Sequence, residues 1–251
     1  MIQLKSAREI DIMAHGGKIL GATVAMLRRE VKAGMSTWDL DELAETFIRS
    51  HHGATPSFKG LYGFPGSVCA SINEEIVHGI PSRKRVLKDG DIISIDVGVK
   101  FEGYHTDSAT TVPVGSVPDE SLRLLEVTEQ ALAAGIDAAQ PNNHVGDIGA
   151  AIQAVVDASG FSIVRDLVGH GIGVGFHEEP QVPNYGKPKR GTKLVPGLTI
   201  AIEPMVNVGG ASTRTMPDRW TVVTSDGSRS AHFEHTVAIT ASGPRVLTRA
   251  D

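Results

Sequence analysis

Apolar residues at Ile10, Met13, Ile19, Leu20, Val24 and Leu27 recur at the spacing of one helical face. Ser6, with Glu9 three positions on, supplies a capping-box start, so the pattern predicts a first helix that runs until Gly34. Ser36-Thr37 opens a second helical stretch carrying Leu40, Leu43, Ala44 and Phe47, and His52-Gly53 stops it. After a glycine-rich loop at 59–66 the period changes. Asp91–Lys100 and Gly103–Val112 alternate apolar and polar residues around Lys100-Phe101-Glu102-Gly103, which predicts a β-hairpin.

The order then repeats, with a helix from about Asp119 to Ala139, another from Asn143 to Ser159, and strands out to residue 247. At a shift of 107 positions, Leu87, Gly90, Ile93, Ile95 and Asp96 superpose on Leu194, Gly197, Ile200, Ile202 and Glu203, and Gly53 on Gly160. Two unrelated hairpins can share such a pattern by chance. Two units of paired helices followed by strands, on either side of Gly115–Asp119, argue further for pseudo-symmetric halves of about 1–115 and 116–251 in a single domain, 1–251. The expected fold is α+β, with helices backing one curved, mostly antiparallel sheet made by both halves.

Composition narrows the function. The 251 residues carry 24 Lys+Arg against 29 Asp+Glu, a net charge of −5, which argues against phosphate-backbone binding and hence against nucleic acid. A lone cysteine, Cys69, excludes an internal disulfide and any multi-cysteine metal site, and fits a reducing cytoplasm. Lys5, Arg8, Glu9 and Asp11 break up the N-terminal region, so no signal peptide is expected there, and no run of 18 apolar residues suggests a membrane span.

The chemistry lies in acids set among β-branched residues. Asp96 sits in Ile-Ile-Ser-Ile-Asp-Val, a strand buried on at least one face, where a charge needs a partner. A turn centred between Phe101 and Glu102 places Asp96 directly opposite Asp107, so either one of the two is protonated or a cation sits between them. Glu203 and Glu234 occupy similar strands with no nearby Lys or Arg. His170 and His177 fall in Gly-His-Gly-Ile-Gly-Val-Gly-Phe-His, where small neighbours allow close approach of a ligand. Four acids with one or two imidazoles suit two hard or borderline divalent ions, which activate water for hydrolysis. Taken alone, His78 reads equally as structural or functional. His51, His52, His105, His144, His232 and His235 read as surface or supporting residues. Ser108 lacks a nucleophile-elbow motif.

These residues resemble the type I methionine aminopeptidases over nearly the whole chain. The motifs are Cys-Ala-Ser-Ile-Asn-Glu-Glu-Ile-Val-His-Gly-Ile-Pro (69–81), Asp-Gly-Asp-Ile-Ile-Ser-Ile-Asp-Val (89–97), Tyr-His-Thr-Asp-Ser-Ala (104–109), Gly-His-Gly-Ile-Gly (169–173) and Ile-Glu-Pro (202–204). The resemblance implies the pseudo-symmetric "pita-bread" fold and removal of initiator methionine before a small second residue. It implies metal ligands Asp96, Asp107, His170, Glu203 and Glu234, with Asp107 and Glu234 bridging two ions of cobalt, manganese, iron or zinc. His78 and His177 become substrate-contacting catalytic histidines, with Glu203 also counted as catalytic. A methionine pocket falls on Phe58, Leu61, Phe64, Cys69, Phe176 and Trp220, although Leu61 stands where the family usually carries an aromatic residue and Phe58 fills a variable position.

Absence of a Cys- and His-rich extension and of a long insertion in the second half points to the compact bacterial type. The implied substrates are the N-termini of new polypeptides, met by a monomer, with the ribosome as a possible contact. Proline dipeptidases and Xaa-Pro aminopeptidases share the five ligands but usually carry a further N-terminal domain. A binding module that had lost catalysis would not need all five ligands and both histidines. By the second-residue rule, Met1 before Ile2 is expected to be retained.

Overall fold

The computed structural model describes residues 2–250; Met1, on which the expected retention bears, lies outside the described residues. The four predicted helices form as α1 (Ala7–Glu30), α2 (Thr37–Arg49), α3 (Asp119–Ala138) and α4 (Val145–Ser159). The starts of α1 and α2 follow the sequence signals. The Ser6 N–H donates to the Glu9 carboxylate at 2.7 Å, the Ser36 N–H to Asp39 at 2.7 Å and the His144 N–H to Asp147 at 2.7 Å, each tying down an otherwise free end.

Three boundaries shift by a few residues. α1 stops at Glu30 rather than Gly34, because the chain leaves the helix to pair with Leu87: Gly34, at φ 91°, donates to its carbonyl at 2.8 Å. α2 ends at Arg49, where the Ser50 hydroxyl donates to the Phe47 carbonyl at 2.7 Å and closes the last turn. α4 begins at Val145 rather than Asn143, since the Asn143 carbonyl is taken by the Leu194 N–H at 2.7 Å.

Every strand pair is antiparallel, and the curved surface consists of four ladders rather than one continuous sheet. In the first half, the hairpin Ile92–Phe101/Tyr104–Pro113 is flanked by Ala54–Pro56 and Val68–Ile72. In the second, Gly243–Val246, His235–Thr240, Thr199–Ile202, Gly169–Gly171 and Glu178–Val182 lie in that order. Two three-stranded ladders complete the set: Ser230–His232 with Met205–Asn207 and Ser162–Ile163, and Thr213–Thr215 with Val222–Thr224 and Glu75–Val77. The halves are stitched where Tyr104–Pro113 meets the chain around Glu234. There the Asp107 N–H donates to Thr236 Oγ1 at 2.8 Å, the Glu234 N–H to the Ala109 carbonyl at 3.0 Å, and the Ser108 hydroxyl to the Glu234 carbonyl at 2.8 Å. Ser108 is thus a stitch in the seam.

Helices α1 and α2 cover the first sheet, burying Leu20, Leu27, Leu40 and Ile48 against Ile93, Ile95 and Val97. Helices α3 and α4 do the same in the second half, with Leu124, Ile148 and Ile152 against Ile200, Ile202 and Val237. Although α1 is long and apolar enough to cross a membrane, it is mostly buried in this packing. A Cβ on its Gly17 would stand 2.1 Å from the Leu247 carbonyl oxygen, so only glycine allows the closeness.

The internal repeat is written in the backbone as well as the sequence. Gly53 and Gly160 have φ 83° and 80°, and Gly90 and Gly197 have φ 94° and 95°. The isolated bridges Ser36–Val86 and His144–Lys193 likewise match. The hairpin register, however, differs from expectation. The turn is Glu102-Gly103, with φ 45° and 91°, so Phe101 pairs with Tyr104, Asp96 with Ala109 and Asp107 with Gly98. Two successive positive φ angles are what a two-residue turn matching the strand twist requires, and Gly103 supplies one at no steric cost. Asp96 and Asp107 are therefore diagonal neighbours on one face rather than directly opposed.

Candidate metal centre

The hairpin supplies Asp96 and Asp107, and the second half supplies the other three predicted ligands. Ile202 pairs with His235 and Met205 with His232, leaving Glu203-Pro204 facing Phe233-Glu234 where the ladder is interrupted. In that register Glu203 stands opposite Glu234. Pro204 has no N–H to give the ladder, which helps keep the gap open. His170 lies on the neighbouring strand Gly169–Gly171, its Nε2 3.7 Å from Glu203.

Burial is the first cause of the site's electrostatics. It lifts the Asp96 carboxyl to about 7, against the lowering effect of a hydrogen bond with Asp107, and pushes Asp107, Glu203 and Glu234 well above the usual carboxylate range, the neighbouring acids adding to the rise in those three. Among the described residues, the ion-pair partners of Glu203 and Glu234 are imidazoles, those of His170 and His232, and no Lys or Arg reaches them. Desolvation lowers the His170 imidazole to about 4, so it is neutral at pH 7. Its Nδ1 lies 2.8 Å from the Gly171 carbonyl; Nδ1–H donates there and leaves the Nε2 lone pair facing the acids.

The donor set fits divalent cations. Donor atoms of Asp107, His170 and Glu234 all lie within 4.8 Å of one another. Asp96 Oδ1 and Glu234 Oε1 are buried without any hydrogen-bond partner, a cost of about 1–3 kcal/mol each in an ordinary interior. One shared proton relieves one pair of acids and leaves two more; cations answer all four. Because the carboxyls are raised while the imidazole is already neutral, ion binding near pH 7 should expel protons from the acids. Isothermal calorimetry in buffers of different ionisation enthalpy should show proton release that increases as pH falls from 7.5 to 6, and an affinity that weakens over the same range. Release confined to pH near 4 would assign the protons to histidine instead.

A cavity of about 510 Å³ opens over these acids and brings together all thirteen predicted site residues. Phe58, Phe64, Cys69 and Phe176 form its buried apolar wall, with Leu61 and Trp220 partly exposed beside them. Phe58 meets Phe176 edge-on at 5.3 Å and Phe64 meets Trp220 at 5.1 Å. A Cβ at Gly98 would press within 2.9 Å of the Phe58 ring and 3.1 Å of Phe176, so glycine opposite Asp107 lets the wall reach the acids. His78 follows strand Glu75–Val77 in a left-handed conformation, φ 61°, a strained choice for a side chain. Burial, reinforced by His177, lowers it to about 4. His177 lies at the mouth, its ring 4.4 Å from that of His170.

Tyr62 and His232 are among the cavity residues that escape the sequence reading. Tyr62 stacks on His177 at 5.8 Å, with its hydroxyl 3.4 Å from Nδ1. His232, expected as a surface or supporting residue, is instead buried in the cavity, 1% exposed. The signal was period two: His232 and Glu234 stand two apart in one strand region, which puts both on the same face. The other histidines in that group are surface or supporting residues as expected: His52 is exposed. His105 bonds Ser57 at 2.9 Å and His235 bonds Thr248 at 2.8 Å.

Opposed buried acids, a neutral imidazole fixed by its own backbone and an apolar wall beside them define a metal-dependent enzyme. The chain belongs to metallopeptidase family M24, which matches residues 11–241. It is 53% identical to methionine aminopeptidase 1 of Bacillus subtilis (strain 168) over 99% of this chain and 100% of that one. Its structure superposes on that of methionine aminopeptidase from Thermotoga maritima with a TM-score of 0.97 and 41% identity, covering 99% and 100% of the two chains. The prolidase from Pyrococcus horikoshii shares the fold, at TM-score 0.78 and 23% identity, with this chain spanning 64% of its length. The expected pita-bread architecture is therefore the observed one.

Proposed function

We propose that residues 1–251 act as one catalytic domain, a methionyl aminopeptidase that removes initiator methionine when the second residue is small. The observation that carries this reading is the single cavity in which four acids and His170 meet an apolar wall. Asp96 would serve one divalent ion, His170 and Glu203 a second, and Asp107 and Glu234 both. Carboxylate and imidazole suit cobalt, manganese, iron or zinc. When bound, such ions would supply Lewis acidity to the scissile carbonyl and lower the pKa of water.

The chain's own residues do the rest. Phe58, Leu61, Phe64, Cys69, Phe176 and Trp220 take the thioether side chain, which is apolar and soft, and offer no charge to a lysine or aspartate. Neutral His78 and His177 hold the scissile peptide and are placed to move protons to and from it, and Glu203, buried in the same cavity, is the third catalytic residue. The substrates are N-termini of newly made polypeptides, met in the cytoplasm, at the ribosome, by a monomer.

Release of methionine from Met-Ala-Ser with resistance of Met-Leu-Ser, measured with each divalent ion in turn, tests the reading. Equal cleavage of both would replace it with a broader aminopeptidase. His78→Ala should lower kcat by about 10²-fold with metal content unchanged, the scale of one lost proton-transfer contact. Loss of metal in that variant would make His78 a ligand instead.

A further inference from the structure

His232 is buried, and neither of its ring nitrogens has a hydrogen-bond partner. Its Nε2 lies 3.8 Å from Glu203 and 4.0 Å from Glu234, too far to donate to either carboxylate. The nitrogen nonetheless faces the space between those two acids, within the same cavity.

The spacing is informative. His170 Nε2 stands 3.7 Å from Glu203, and His232 Nε2 stands at nearly the same distance from that carboxylate's other oxygen. Donors held about 2.1 Å from one ion lie at most about 4.2 Å apart, when they face each other across it. Separations of 3.7, 3.8 and 4.0 Å fall inside that limit and outside hydrogen bonding. Each of these pairs is spaced as two donors to one ion would be.

From this geometry we propose that His232 is a sixth metal-ligating residue, binding through Nε2 the ion that His170 and Glu203 hold. The inference rests on the dimetal reading above and adds to it a second imidazole on one ion. His170 is oriented by the Gly171 carbonyl, whereas His232 Nδ1 has no acceptor to fix the ring. His232 is therefore the looser of the two imidazoles.

The test reads metal binding rather than turnover. Protein labelled with ¹⁵N-histidine and loaded with one equivalent of manganese(II) should show two coordinated imidazoles by pulsed electron paramagnetic resonance. His232→Gln should show one, and should weaken binding of the first zinc equivalent by about 10- to 100-fold. His170→Ala serves as the reference, and thermal melts of the metal-free variants check folding. A single imidazole in the unaltered protein, lost in His170→Ala but not in His232→Gln, overturns the proposal and leaves the dimetal reading standing. No metal binding by the unaltered protein overturns both.

Discussion

Protein stripped of divalent ions by a chelator is expected to release no methionine from Met-Ala-Ser, and cobalt, manganese or iron(II) to restore release. The cavity contains no alternative means of attack. Ser108, the one hydroxyl that the sequence brought forward, donates to the Glu234 carbonyl within the seam. Cys69 is buried and its thiol is pushed well above its ordinary pKa by that burial and by the surrounding acids, so it does not form a nucleophilic thiolate. Without ions, burial and the neighbouring acids push these carboxyls well above the usual carboxylate range, which makes each a poorer source of negative charge for activating water. Losing several kcal/mol of Lewis-acid stabilisation costs at least about three powers of ten in rate. Full activity after verified metal removal would sink the mechanism.

Much of this centre was legible in the sequence because burial and charge are in conflict there. An acid inside Ile-Ile-Ser-Ile-Asp-Val announces an unmet need for a cation whatever the register, and the shift that aligns Asp96 with Glu203 returns as matched φ angles at Gly90 and Gly197. Capping residues likewise act locally: Ser6-Glu9 and Ser36-Asp39 fix helix starts with no help from the rest of the fold. What the sequence hid depended on distant partners. α1 ends early because of Leu87, and α4 begins late because of Leu194. The hairpin register turned on which two residues adopt positive φ, and moving that turn by one residue along the chain separates Asp96 from direct opposition to Asp107.

His232 shows a different limit. A histidine beside a phenylalanine in a short strand most often packs or faces solvent, and nothing within a few residues distinguishes the two outcomes. Its neighbour in space, Glu203, comes from the strand across the gap that Pro204 helps create. The sequence contained the period-two relation to Glu234. It did not contain the interruption in the ladder that turns that face into the floor of a cavity.

The same interruption underlies the other large effect, in which Glu234→Ala and Asp107→Ala should each lose both ions while Asp96→Ala loses chiefly one. Glu234 faces Glu203 across the gap, and its N–H is bound to the carbonyl of Ala109, the residue paired with Asp96. It thus stands between the acid assigned to one ion and the acid assigned to the other. Asp107 shares a donor cluster with His170 and Glu234, and lies diagonal to Asp96 on the hairpin face. Two dications repel four times as strongly as two unit charges, about 16 kcal/mol at 4 Å and an effective dielectric of 20. Only carboxylates placed between the ions offset that repulsion for both. Calorimetric titration should give near-zero stoichiometry for Glu234→Ala and Asp107→Ala and about one ion for Asp96→Ala. The metal-free Glu234→Ala protein should melt no lower than the parent, since the substitution removes a buried carboxyl oxygen that has no partner. That melt separates lost ligation from lost folding. Equal stoichiometry in all three variants would contradict the bridging roles, because a site without bridges loses only the ion whose own ligand is removed.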